Sequence, residues 1–493
     1  MMVAWAALIL WPFLAVIFFA AMSVPAALVA TIVGGYLFLP EQVEFDLPVL
    51  PPLDKHTIPA LSALVLTAVA AKVPGTFQKG YIPRRPMVIL LLAALFLGVM
   101  ATVLTNGDPI QFQERWQPVT ILPGLRTWDL MASGLIMVMS LIPFLLGRKY
   151  LATAEAQLQA LKVFALLGFV YTAFALIEIR LSPQLNSWIY GFFPHSFAQH
   201  IRGGGFRPLV FLNHGLWLAI FFAMAIVAAA GLARHLSDWN QKAVFLFAAF
   251  WIFATLLLSR SLGAFLIALI FLGLMTQPQR VLHIGLLCLV GVVICYPLLR
   301  SFGLVPTELI VDLAGRVSAD RAKSLDFRLT NEQIILNHAL ERPLFGWGGW
   351  GRNLAEIMEN GKRVVPDGRW TISFGQGGYV RFLSEFGLLS IGVLGVVFSK
   401  RPVPFVSTIV AMILTANLFD LLPNGTLTSL TWLWAGALVG RLELSGEDAT
   451  VPQTQTVGAA SFNIRHPAGA VYSRDLGVRP AYRRQFDQTD VSQ

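Results

Sequence analysis

Continuous apolar runs of roughly 15–22 residues recur along the chain from its start to about residue 440. Nothing else in the sequence limits the fold so strongly. A helix needs about 20 apolar residues to cross the hydrocarbon core of a bilayer, and transmembrane strands would alternate apolar and polar residues instead. The sequence therefore predicts an all-α, polytopic transmembrane helix bundle. Composition agrees: of 493 residues, 56% are hydrophobic and 13% charged. A water-soluble domain carries about 25% charged residues.

Spans are expected near 3–21, 24–39, 58–72, 87–104, 130–146, 160–179, 209–231, 243–257, 262–275, 281–299, 387–399, 403–420 and 426–440. Several are short, which brackets the count at 12–14. The opening "MMVAWAALILWPFLAVIFFAAMSVPAALVATIVGGYLFLP" lacks a basic leader, so it reads as two anchored spans broken near Ser23–Val24–Pro25 rather than a cleaved signal. Cys288 and Cys295, seven apart in one run, share a helix face and read as small core residues, not a disulfide.

The net charge of +9 is no nucleic-acid signal, because the Lys and Arg residues concentrate in connectors. "KVPGTFQKGYIPRRP", Arg148–Lys149, Arg234 with Lys242, Arg280, and Lys400–Arg401 alternate with connectors lacking that bias. By the positive-inside rule the basic set is cytoplasmic. Thirteen spans then put the N-terminus outside; twelve, without the run at 58–72, put both termini inside. Residues 1–299 read as spans with short loops, 300–386 as a large, partly helical cap outside the membrane, and 387–441 as the last spans. Residues 442–493, polar and poor in aliphatics, read as a disordered cytoplasmic tail. "DFRLTNEQIILNHALERP" supplies the helical middle of the cap.

The stretch "LLLSRSLGAFL" places Arg260 between two apolar runs with almost no loop. An arginine is costly inside a bilayer, so Arg260 belongs at the outer interface or in a polar cavity. With Arg202 and Arg207 in "QHIRGGGFRPLVFLNHGLW" it forms a candidate anion site, since guanidinium groups bind phosphate through a planar fork. His214, with Asn213 beside it, lies just inside the seventh expected span and is a candidate for proton transfer. "GWGGWG" matches the dinucleotide fingerprint by letter alone. No strand precedes it, so its glycines read as turns that present Trp347 and Trp350 to a sugar face or the interface. No metal-ligand spacing is evident, and no metal or cofactor is expected.

The layout resembles the bacterial O-antigen ligase and polysaccharide polymerase family. The resemblance rests on "LLLSRSLGAFLIALI", "FRPLVFLNHGLWLA", "ALERPLFGWGGWGRN" and "SFGQGGYVRFLSEFGLLSIGVLG" in this order, over about residues 200–400. It implies a metal-independent glycosyltransferase of the bacterial inner membrane. Such a protein transfers glycan from an undecaprenyl-pyrophosphate carrier to an acceptor hydroxyl on the periplasmic side. Its partners would be the lipid-linked oligosaccharide donor, the glycan acceptor, membrane lipids and other polysaccharide-assembly proteins. Carried over by position, Arg260 and Arg207 bind the pyrophosphate, with Arg352, Gln376 and Arg381 completing the substrate contacts. Ligases place a histidine and an asparagine where Gln376 and Gly377 stand here. Glutamine cannot act as a general base, which favours a polymerase over a ligase. A flippase and a polyprenyl-phosphate-sugar transferase, the latter using Glu41, Glu44, Asp46 or Asp54, are the alternatives.

Overall fold

The computed structural model describes residues 1–47, 51–70, 80–114, 117–202, 204–317, 319–355 and 363–444. The chain is a helix bundle, as expected. Its helices are α1 (Met2–Ala21), α2 (Val24–Phe38), α3 (Thr57–Ala70), α4 (Pro86–Leu104), α5 (Thr127–Tyr150), α6 (Ala154–Leu181), the short α7 (Leu185–Tyr190), α8 (Gly215–His235), α9 (Trp239–Leu258), α10 (Leu262–Met275), α11 (Gln279–Ser301), α12 (Thr307–Val317), α13 (Ala319–Leu340), α14 (Arg369–Val397), α15 (Phe405–Asp420) and α16 (Ser429–Glu443). Two small hairpins, β1 (Ile110–Phe112) with β2 (Thr120–Leu122) and β3 (Ile201–Arg202) with β4 (Gly205–Phe206), lie in connectors.

Eight of these helices are long and apolar enough to cross a membrane, and the shorter α2, α3, α10 and α15 are apolar as well. The chain is a multi-pass membrane protein. Prolines begin α2 and α4, where the missing N–H costs nothing. Thr153 and Asp238 cap α6 and α9 by accepting from Ala156 N and Gln241 N. The central helix is α8, buried along most of its length from Gly215 to Ala233. α5 and α16 pack backbone to backbone: a Cβ on Gly147 would stand 2.2 Å from the Leu433 carbonyl oxygen, and one on Gly436 2.0 Å from that of Phe144. Small residues permit such approach between membrane helices, where no hydrophobic force drives association.

Contacts between connectors sort the helix ends onto two faces. On one, Arg148 pairs with Glu443 and donates to the carbonyls of Gly80 and Tyr81, while Arg234 donates to Gln277 O. These are the basic connectors. On the other, Met1 N donates to Tyr190 O and Tyr190 Oη to Phe38 O, and Arg342 pairs with Asp108. This alternation is the one read from charge alone. The basic face is expected to be cytoplasmic. With the exposed Cys288 and Cys295 first replaced by alanine, Ile82→Cys should resist an impermeant thiol reagent in intact cells and Val365→Cys should label. The reverse pattern would invert the orientation.

Three expectations change. The two cysteines face outward on α11 rather than into the core, because the inward positions of that helix are taken by Leu282, Leu286, Val290 and Val293. The seventh run starts at Gly215, not 209, since residues 209–214 form a turn. The boundary placed at 386–387 falls inside α14, which begins at Arg369. The tail from 445 onward lies outside the described residues.

Candidate functional site

α14 is broken. Gly377 (φ −141°, ψ 16°) and Gly378 (φ 61°, ψ −159°) leave helical geometry. A break inside an apolar bundle strands backbone donors and acceptors that lipid cannot satisfy. The Gly-rich segment of the cap supplies them. Trp347 N and Gly348 N donate to the carbonyls of Gly375 and Gln376, both at 2.9 Å. Tyr379 N and Val380 N donate to Pro343 O and Leu344 O at 2.7 and 3.3 Å. A Cβ on Gly346 would lie 2.5 Å from Gly377 N, so glycine is needed for this approach. The segment is thus a plug for the broken helix. Thr102 and Asn106 of the α4 end clamp it by donating to Phe345 O and Gly346 O at 2.6 and 2.9 Å.

The two tryptophans of the plug divide. Trp347 is buried, stacked on His338 at 4.4 Å between ring centroids, with Arg342 4.2 Å from its ring and its Nε1 donating to His338 O at 2.6 Å. Arg352, 1% exposed, donates to Trp347 O and Pro123 O. Both side chains, expected to touch substrate, instead hold the cap together. Trp347→Ala should cost about 3–5 kcal/mol through the cavity it leaves, read as a lowered unfolding temperature in detergent. Trp350 is 51% exposed and has φ +52°. Such strain in a non-glycine residue persists only where the surroundings impose it.

Trp350 stands at a cavity of about 520 Å³ on the capped face. One wall is α14, contributing Arg369, Gln376, Gly377, Arg381 and Glu385; the 44–57 segment adds Glu44, Asp54 and His56. Arg369 holds Glu385 through both prongs of its fork, Nε to Oε1 at 2.8 Å and Nη2 to Oε2 at 2.9 Å. Ser373 Oγ donates to Glu385 Oε1 at 2.7 Å, and Arg381 Nε lies 3.6 Å from Oε2. Two guanidiniums thus face one carboxylate, so α14 itself contributes a formal charge of +1 to a lining that also holds Glu44 and Asp54. Asp54 is committed to capping α3, accepting from His56 N and Thr57 N at 2.9 and 2.8 Å. His56 Nδ1 is buried without a hydrogen-bond partner.

The arginines first singled out lie elsewhere. Arg260 sits in the α9–α10 turn with φ +56°, its guanidinium packed on Gly205 of the β3–β4 hairpin. Arg207 is buried, lies along Gly215 at the α8 start, and donates from Nη2 to Arg260 O at 3.4 Å. Arg202 pairs with Gly205 in the hairpin register. His214 Nδ1 accepts from Leu216 N at 3.0 Å and caps α8. None of Arg207, His214 and Arg260 lines the 520 Å³ cavity. The two regions share one connector. Lys55, buried beside His56, binds Glu41 at 2.8 Å and Phe211 O at 3.0 Å; burial lowers its pKa, against the pull of Glu41.

Gln376 and Arg381 are the expected polar site residues that the fold does bring to the cavity, with Trp350. Arg369, Glu385 and His56 were missed. No signal in the sequence pairs Arg369 with Glu385, which an unbroken helix would hold about 24 Å apart. Sequence spacing also hid a cluster of His195, His200 and His214, whose ring nitrogens lie within 4.8 Å of one another.

Fold and site together define a polytopic helical membrane protein with a charged cavity beside the broken α14, lined in part by the docked glycine-rich segment. No protein-family model matches the chain, and no characterised protein matches it significantly.

Proposed function

We propose that this protein is an inner-membrane glycosyltransferase that polymerises undecaprenyl-pyrophosphate-linked glycan repeat units on the periplasmic side, in exopolysaccharide or O-antigen synthesis. The observation that carries this reading is the cavity with Arg369 and Arg381 on one wall and, on another, His56, whose Nδ1 has no hydrogen-bond partner. A diphosphate leaving group gains negative charge as its bond to sugar breaks. A guanidinium held beside it offsets that charge without reorganisation. In the proposed step the acceptor hydroxyl oxygen attacks the anomeric carbon. The carbon–oxygen bond to pyrophosphate breaks with its electron pair leaving on the pyrophosphate, and the hydroxyl proton passes to His56. The plug and cap exclude water that would hydrolyse the donor.

Gln376 lines this cavity where the resembled ligases hold histidine, which favours the polymerase among transferases. A broken helix bearing charge is also a transporter feature, so a flippase is the second reading. Purified protein in detergent, given lipid-linked repeat units, should yield longer glycans and free undecaprenyl pyrophosphate. Failure to extend them in detergent, with movement of the same lipid across liposomes, would establish the flippase instead. Trp350→Ala should leave the fold intact and lower product formation by about 2- to 30-fold, the loss of one ring-face contact.

A further inference from the structure

We infer that His195, His200 and His214 form a binding site for a divalent metal ion of the zinc class, distinct from the proposed catalytic cavity. The three come from different local structures: the turn after α7, the 3₁₀ turn Phe197–His200, and the N-cap of α8. One ring nitrogen of each lies within 4.8 Å of the others, and ring centroids are 4.9 to 6.0 Å apart. A tetrahedral ion with nitrogen ligands at about 2.1 Å sets neighbouring ligands about 3.4 Å apart. Small side-chain rotations therefore close the site.

The donor set specifies the ion. Three imidazoles without a carboxylate suit zinc, nickel, cobalt or copper and not magnesium or calcium. His200, fully buried, donates from Nδ1 to Arg207 O at 3.3 Å. That bond places the ring's lone pair on Nε2 and supplies the backbone carbonyl that orients metal-bound histidines. His195 Nδ1 is buried and has no hydrogen-bond partner. His214 exchanges its bond from Leu216 N for the metal. Three protein ligands leave a fourth position for water or an anionic oxygen.

The ion would staple the 191–214 connector onto the start of α8. Arg207 is carried with it, since Arg207 N donates to His200 O at 2.8 Å while its carbonyl accepts from the same residue. The ion thereby holds the Arg207–Arg260 pair in place.

Protein purified without a polyhistidine tag, stripped with chelator in detergent, should take up one Zn2+ per chain in a saturable titration. Its unfolding temperature should rise, and Co2+ in its place should give the strong visible absorption of a tetrahedral site. His195→Ala and His200→Ala should each weaken Zn2+ binding by ~10²-fold or more, while His283→Ala keeps it. His195 is only half-buried, so His195→Ala remains informative if His200→Ala fails to fold. Absence of saturable binding by folded wild-type protein, or unchanged binding in His195→Ala, overturns the site. The readout needs no glycan chemistry, so it fails or succeeds independently of the polymerase reading.

Discussion

Arg381→Ala is expected to reduce polymer formation by ~10²–10³-fold, the usual cost of removing one donor aimed at a developing negative charge. Protein level and insertion should be unchanged. Arg369 alone already satisfies both oxygens of Glu385 at 2.8 and 2.9 Å, and Arg381 approaches only to 3.6 Å. Removing Arg381 therefore leaves Glu385 paired with Arg369 while the cavity loses the guanidinium that Glu385 does not need. Arg381→Lys should recover little, because a lysine offers a point charge and no planar fork. Lipid-linked repeat units should accumulate in both variants. Polymer of normal amount and length from Arg381→Ala would remove the anion-binding role from this cavity. Glu385→Ala should behave differently. It strands two arginines in a mostly buried site and should destabilise by about 3–5 kcal/mol.

The second large effect concerns the helix break. Gly378 sits at φ 61°, ψ −159°, a conformation essentially restricted to glycine. A Cβ there would meet Pro343 O at 2.3 Å and the Leu344 carbonyl carbon at 2.4 Å. These are backbone atoms of the plug and cannot rotate away. Gly378→Ala should therefore expel the plug, leave four backbone groups of α14 unsatisfied and give little folded protein in detergent. Gly291→Ala on α11 is the matched control. A Cβ there meets nothing within 4 Å, and helical propensity should make the change neutral or stabilising by about 0.5–1 kcal/mol. Equal stability of the two variants would mean that the plug is not required to complete α14.

Much of the bundle was legible from the residues. The ends of α1, α2, α4 and α10 fall within about two residues of the apolar runs that announced them, because a helix in lipid stops where prolines and charges begin. The two faces were legible from Lys and Arg placement, and the helical middle of the cap from its apolar spacing. The candidate site was legible only in pieces. Gln376, Arg381 and Trp350 were singled out, but so were Trp347 and Arg352, which the fold spends on its own interior.

The sequence by itself determined that this is a many-helix membrane protein with a basic face, an opposite capped face and arginines near the latter. Those properties follow from local hydrophobicity and charge, summed along the chain. The tertiary structure alone decided which charges meet. Arg369 reaches Glu385 because two glycines let α14 fold back at a break that a distant loop completes. His195, His200 and His214 converge because a connector closes on the start of α8. Arg260 turns to the β3–β4 hairpin and not to the cavity, although nothing in its neighbours says so. Period and composition report what a segment is. Contact between segments depends on breaks, caps and close approaches that only the assembled backbone sets.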